Sequence, residues 1–123
     1  MKKFKKLLAL GLVSFMALTA CSGKAQLMKG DSVLAEQKKG ALVIDVRTDK
    51  EYKEGHIKDA KNINVDTIEK EIEKVEPNKD KKIIVYCNTG KKSGKALEKL
   101  KKLGYKNVSN GEGVKQYKYD LVK

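Results

Sequence analysis

Four apolar residues, Ile83-Ile84-Val85-Tyr86, run straight into Cys87. A short polar stretch, Asn88-Thr89-Gly90-Lys91-Lys92, follows, and Ser93-Gly94-Lys95-Ala96-Leu97-Glu98-Lys99-Leu100 then reads as helix. A buried strand with a sulfur at its carboxyl end and a helix start just beyond can hold an anion over a thiolate. The thiolate, rather than the thiol, is the nucleophile. Three features favour it: the partial positive charge of the helix N-terminus, a nest of successive backbone N–H groups, and the full charges of Lys91 and Lys92. Gly90 supplies a positive φ or a close backbone approach. Asn88 and Thr89 contribute N–H groups and small polar side chains. Many free cysteines are inert core residues, but Cys87 ends a central strand, where open α/β sheets place ligands. The two lysines have an ordinary reading as solvated charge. Cations at a helix N-terminus are unfavourable by about 0.3–1 kcal/mol each, however, and two of them there make sense with an anion between them.

The elements that must position this loop follow from the apolar pattern. Ala41-Leu42-Val43-Ile44 and Lys82 to Tyr86 are near-continuous apolar runs, the mark of central parallel strands covered on both faces. Asp45-Val46-Arg47 ends the first run. Polar residues there could line the site, while Thr48 or Asp49 is placed to cap a helix from Lys50 to Glu54 that stops at Gly55. His56-Ile57 opens the next connection. Asn62-Ile63-Asn64-Val65 alternates as a half-exposed strand, and Asp66 or Thr67 caps a helix through Val75 with Ile68, Ile72 and Val75 on one face. Ala96, Leu97, Leu100 and Leu103 form the stripe of the helix after the loop. Tyr105 to Ser109 suggests a last strand, and Asn110-Gly111-Glu112-Gly113 a turn into a closing helix with Val114, Tyr117 and Leu121. Near the start, Ala25-Gln26-Leu27-Met28 reads as an edge strand and Gly30-Asp31-Ser32 as turn and cap for a helix from Val33 to near Gly40. Strands alternating with helices predict an α/β domain built on a small parallel β-sheet flanked by helices.

The chain has 123 residues, enough for one domain, and a formal net charge of +12. Lys2, Lys3, Lys5 and Lys6 supply part of that excess, and the remainder is still basic. Lysines alternating with glutamates along helical faces, with five tyrosines, two phenylalanines and no tryptophan, argue for a solvated surface rather than for nucleic-acid binding. Such a surface also sits well beside anionic lipid headgroups. Behind the basic start, Leu7 through Leu18 is a twelve-residue apolar stretch. It is shorter than the about 20 residues of a membrane span and matches a secretory signal. Leu18-Thr19-Ala20-Cys21 resembles the lipobox of bacterial lipoproteins. By that resemblance residues 1–20 are a signal peptide and Cys21 is lipidated on sulfur and acylated on its amine, as by palmitate. Residues 21–26 are then a tether, and the chain is exported and lipid-anchored to the bacterial cell-envelope membrane. A signal simply cut at Ala20 is the plainer alternative. Lipidation removes Cys21 as a disulfide partner and leaves Cys87 as the free thiol.

Residues 27–123 resemble the rhodanese domain family. The resemblance rests on Val43-Ile44-Asp45-Val46-Arg47, Glu51-Tyr52-Lys53-Glu54-Gly55-His56-Ile57, Ala60-Lys61-Asn62-Ile63, Ile84-Val85-Tyr86-Cys87 with its loop, and Leu103-Gly104-Tyr105-Lys106-Asn107-Val108, in that order. It implies a rhodanese-like α/β fold and a sulfurtransferase. Cys87 takes a sulfane sulfur from a small anionic donor, thiosulfate or polysulfide, and passes it from a persulfide to a thiol or cyanide acceptor. Asn88, Thr89, Gly90, Lys91 and Lys92 hold the donor, and no metal or organic cofactor is needed. The resemblance gives Asp45 and Arg47 a structural ion-pair role, makes His56 part of a turn rather than a base, and Tyr52 core.

Related phosphatase loops follow Cys-x5-Arg, and that arginine position is Ser93 here. Serine cannot replace an arginine fork, which argues against phosphatase activity. Many relatives carry arginine at Asn88, arginine or threonine at Lys92, Gly-Gly at Glu112-Gly113 and tryptophan at Tyr117. These departures bear on donor preference more than on reaction class. Two other classes of function compete: a membrane-anchored persulfide carrier or protein-interaction module with little turnover, and a thiol redox sensor.

Overall fold

A computed structural model describes residues 26–123. The expected signal segment, Cys21 and the expected tether up to Ala25 lie outside the described residues. The elements are α1 (Gly30–Lys38), β1 (Leu42–Asp45), α2 (Asp49–Glu54), β2 (His56–Ile57), β3 (Lys61–Asn62), α3 (Ile68–Val75), β4 (Ile83–Tyr86), α4 (Lys91–Lys102), β5 (Val108–Asn110) and β6 (Leu121–Val122). Four parallel strands form one sheet in the order β3-β1-β4-β5. The two apolar runs are its centre, paired from Leu42 with Ile83 to Asp45 with Tyr86.

Alternation along β4 divides the core. Ile83 and Val85 pack with Ile68 and Ile72 of α3 and Ala96 and Leu100 of α4. Ile84 and Tyr86 pack on the other side with Val33, Val43, Ile57 and Tyr119. Both faces being covered, every residue of β4 is buried, which is why the strand reads as a run rather than an alternation. Each fully buried aliphatic side chain contributes about 1.5–3 kcal/mol. From β1 the chain moves outward to β3; from β4 it moves outward the opposite way to β5. The order therefore reverses between β1 and β4, and the carboxyl edge of that pair is where open α/β sheets bind ligands.

Several boundaries differ from the sequence reading, most of them for a contact distant in the chain. Helix α1 begins at Gly30, so Gly30-Asp31-Ser32 is its first turn rather than a cap. Lys29 offers no side-chain cap, and the Glu112 carboxylate accepts the Gly30 N–H at 2.8 Å instead. The Tyr117 ring occupies the space a Gly30 Cβ would need. The expected strand at 25–28 reduces, among the described residues, to one parallel bridge between Met28 and Gly111. Pairing of 62–65 is also shorter than expected. Beyond Lys61–Asn62 the Ile63 and Val65 N–H groups bond the carbonyls of Asp45 and Val46 outside a regular ladder, with both side chains buried. The strand expected over 105–109 starts at Val108, because Tyr105 is drawn into the core beside Leu100. Val75 ends α3 and is 37% exposed, unlike Ile68 and Ile72. No helix forms over 114–121. Gly113 and Tyr117 close a turn, and Leu121 and Val122 pair antiparallel with Ile57 and His56, so His56-Ile57 is a strand as well. Thr48, one of the two expected caps, closes a capping box with Glu51. Thr67 is the N-cap of α3 without a side-chain bond.

Asp45 and Arg47 form a buried ion pair at the end of β1. Arg47 Nη2 lies 2.8 Å from Asp45 Oδ2, and Nε lies 3.0 and 3.1 Å from the two carboxylate oxygens. Nη2 also donates to the Gly55 carbonyl at 2.6 Å. Removing one partner strands the other charge in the interior. Asp45→Ala is expected to lower stability by about 3–5 kcal/mol, read as a lower urea midpoint. A loss below about 1 kcal/mol, the scale of an exposed pair, would contradict this account.

Candidate active site

Cys87 leaves the carboxyl end of β4 and is 3% exposed. Its Sγ accepts the Gly90 N–H at 3.1 Å and the Ser93 N–H at 3.4 Å, and lies 3.2 Å from Ser93 Oγ. Burial alone pushes the Cys87 thiol up. The Ser93 hydroxyl and the N–H groups of Ser93, Thr89 and Gly90 outweigh it, so the thiol lies below its ordinary range. A cleft of about 190 Å³ opens over the sulfur, lined by Cys87, Asn88, Thr89, Lys91 and Lys92. Four of the five expected loop residues thus line it. Gly90 is the exception, supporting the sulfur from its side with φ 91° at the N-cap of α4.

The helix begins two residues earlier than its apolar stripe suggested. Lys91 and Lys92 occupy its first turn, where no acid stands, rather than the loop. Gly90 has no side chain to cap with, and the helix starts as soon as the backbone leaves its left-handed turn. Both lysines are exposed and line the cleft. Asn88 is turned otherwise than expected. Its Nδ2 donates to Glu51 Oε2 at 3.0 Å, and its Oδ1 accepts from Arg47 Nη1 at 3.4 Å. The amide therefore ties the loop to α2. The Asn88 N–H bond, followed by those from Thr48, holds the Glu51 carboxyl below its usual range against the opposing effect of burial.

Ser93 is the functional neighbour the sequence reading passed over. Its position carried a signal: Ser93, Ala96 and Leu100 are the buried residues of α4, so a hydroxyl stood in an apolar stripe and needed a partner. That partner is the sulfur. His56 lies elsewhere, with Nδ1 bonded to the Tyr52 carbonyl at 2.8 Å and its ring stacked on Tyr52 at 3.7 Å. Tyr52 in turn donates to the Ala60 carbonyl at 2.6 Å. Among the described residues no three His, Cys, Asp or Glu side chains gather as a metal site.

An open parallel sheet with one hydrogen-bonded thiol at its switch point, under an anion-sized cleft, defines an α/β domain with a single-cysteine active loop. The sequence profile described as the rhodanese-like domain matches residues 30–117, and the chain belongs to that family. It is 38% identical over 80 residues to the thiosulfate sulfurtransferase PspE of Escherichia coli K12, covering 65% of this chain and 77% of that protein. It is 39% identical over 77 residues to a tRNA uridine(34) hydroxylase of Escherichia fergusonii, but spans only 22% of that protein's length. Among solved structures, a rhodanese with anions from E. coli superposes with TM-score 0.64 at 36% identity, covering 68% of this chain and 99% of that one. A rhodanese-like domain protein from Staphylococcus aureus gives TM-score 0.68 at 27% identity, covering 79% and 96%.

The sulfur's hydrogen bonds set a pH window. A thiol held below the ordinary value of about 8.5 is fully ionised above its own midpoint and loses reactivity as pH falls through it. Ser93→Ala removes a donor and leaves no new buried polar atom. The midpoint of Cys87 alkylation is expected to move upward, with slower alkylation at neutral pH. An unchanged profile would show that the hydroxyl does not support the thiolate.

Proposed function

We propose that the protein is a sulfurtransferase that carries sulfane sulfur on Cys87. The observation that carries this reading is the buried Cys87 sulfur with three donor contacts beneath a cleft flanked by two lysines. Kinship with a thiosulfate sulfurtransferase supports it. The Cys87 thiolate attacks the outer sulfur of thiosulfate. The sulfur–sulfur bond of the donor breaks, its electron pair leaves with sulfite, and a persulfide forms on Cys87. The leaving group is already a stable anion, so no general acid is required. The Gly90 and Ser93 donors that hold the thiolate are available to the charge of the persulfide. A thiolate or cyanide then attacks the terminal sulfur, and the bonding pair returns to Cys87. Electrons balance within the two displacements.

Lys91 and Lys92 attract the anionic donor and offset its repulsion from the thiolate. The lipobox resemblance supports the further proposal that Cys21 anchors the domain to the cell-envelope membrane. There it would meet an external donor and a thiol acceptor.

The full chain in detergent is expected to form thiocyanate from thiosulfate and cyanide, and Cys87→Ser to form none. No turnover by the folded parent with either thiosulfate or polysulfide would sink the small-molecule reading. Lys91→Ala with Lys92→Ala is expected to raise KM for thiosulfate severalfold with a smaller change in kcat, and added salt should narrow the difference. A salt-independent ratio would argue against an electrostatic role.

A further inference from the structure

Gly90 carries the N–H nearest the Cys87 sulfur, yet a glycine in a left-handed turn has little intrinsic reason to stay there. Two groups outside the loop hold it. The Leu27 side chain packs against its Cα, with methyl carbons 3.1 Å from where a Cβ would stand. Asn110, at the end of β5, donates from Nδ2 to the Gly90 carbonyl at 3.1 Å. That carbonyl also accepts the Gly94 N–H at 3.0 Å, the first turn of α4. The orientation of the Asn110 amide follows from its partner, since a carbonyl only accepts.

We propose that Asn110 is a positioning residue for the active loop. Its amide clamps the Gly90 carbonyl and thereby aims the Gly90 N–H at Cys87. The position is otherwise an odd place for asparagine. Asn110 is 6% exposed, and its Oδ1 is buried without a hydrogen-bond partner. An apolar side chain would avoid that penalty. Its backbone is already tied into the fold independently of the amide, through pairing with Val85 and a 2.8 Å bond from the Met28 N–H. A polar side chain that the fold does not need, aimed at the residue whose N–H lies nearest the sulfur, has its use in the site.

The test separates a positioning role from a structural one. Asn110→Leu removes the amide and its orphaned oxygen together, and Asn110→Ala truncates it. The full chain is purified in detergent, and alkylation of Cys87 is followed by the mass of its own peptide, so that Cys21 does not interfere. Both variants are expected to shift half-maximal alkylation to higher pH and to slow it roughly five- to tenfold below the parent's midpoint. Asn110→Leu should melt no lower than the parent. A folded variant with the parent's alkylation profile would overturn the proposal, whatever its melting temperature. If Asn110→Leu does not fold, Asn110→Ala decides by the same profile. Because alkylation needs no sulfur donor, the outcome stands apart from the sulfurtransferase reading. Where thiosulfate is turned over, kcat/KM should fall in step with the thiolate.

Discussion

A buried sulfur anion is tolerable only where hydrogen-bond donors replace the water it has lost. Here they are backbone N–H groups and one hydroxyl, and the loop must curl around Cys87 to deliver them. A loop that turns N–H groups inward must turn carbonyls outward, and each buried carbonyl then needs a donor of its own. The chain supplies them from its C-terminal part. Val114 N–H bonds the Cys87 carbonyl at 3.1 Å, Lys115 N–H bonds that of Asn88 at 3.0 Å, and Asn110 with Gly94 serves that of Gly90. The anion site is thus one side of a strip of backbone whose other side is bonded, Gly94 apart, to residues twenty or more positions away. Its geometry is fixed by the fold rather than by the loop's own preferences.

That division explains what could be read from the sequence. The two central strands were legible because burial on both faces leaves nothing but apolar residues. Cys87 was legible because it ends one of them. The Thr48 cap depends on a neighbour three residues away, and the Asp45–Arg47 pair, though local, was expected from the family resemblance. What escaped is set by long-range contact. The start of α1 depends on Glu112, the direction of Asn88 on Glu51 and Arg47, and the brief pairing of His56 and Ile57 on the chain's last residues. Edge strands were misjudged for the same reason. Their pairing is decided by a neighbour on one side only, and two or three residues suffice.

The charges around the cleft also reflect this arrangement. Lys91 and Lys92 sit in the first turn of α4, which holds no acid, while Glu51 lies just behind Asn88. An anion approaching the sulfur meets the lysines in the cleft, and the carboxylate is already engaged by the Asn88 amide and the Thr48 cap. In relatives with arginine at position 88 a full charge would stand beside that carboxylate. Here a neutral amide does, so the cationic character of the cleft comes from the helix start.

The remaining departures from the family pattern lie where the backbone permits them. Position 112, glycine in many relatives, is glutamate here. Its φ is not positive, so a side chain is allowed. The carboxylate caps α1 through Gly30, and its carbonyl accepts the Tyr119 hydroxyl at 2.7 Å. Position 113 has no such freedom. A Cβ there would collide with the Asn88 carbonyl and stand 2.6 Å from that of Cys87, the two carbonyls that the next residues must reach. Tyr117, in place of tryptophan, lays its ring against Gly30, on the side of the sheet away from the sulfur. The variable positions therefore brace α1, while the glycine that touches the active loop is retained. Of these departures, Asn88 and Lys92 are the two that line the cleft itself.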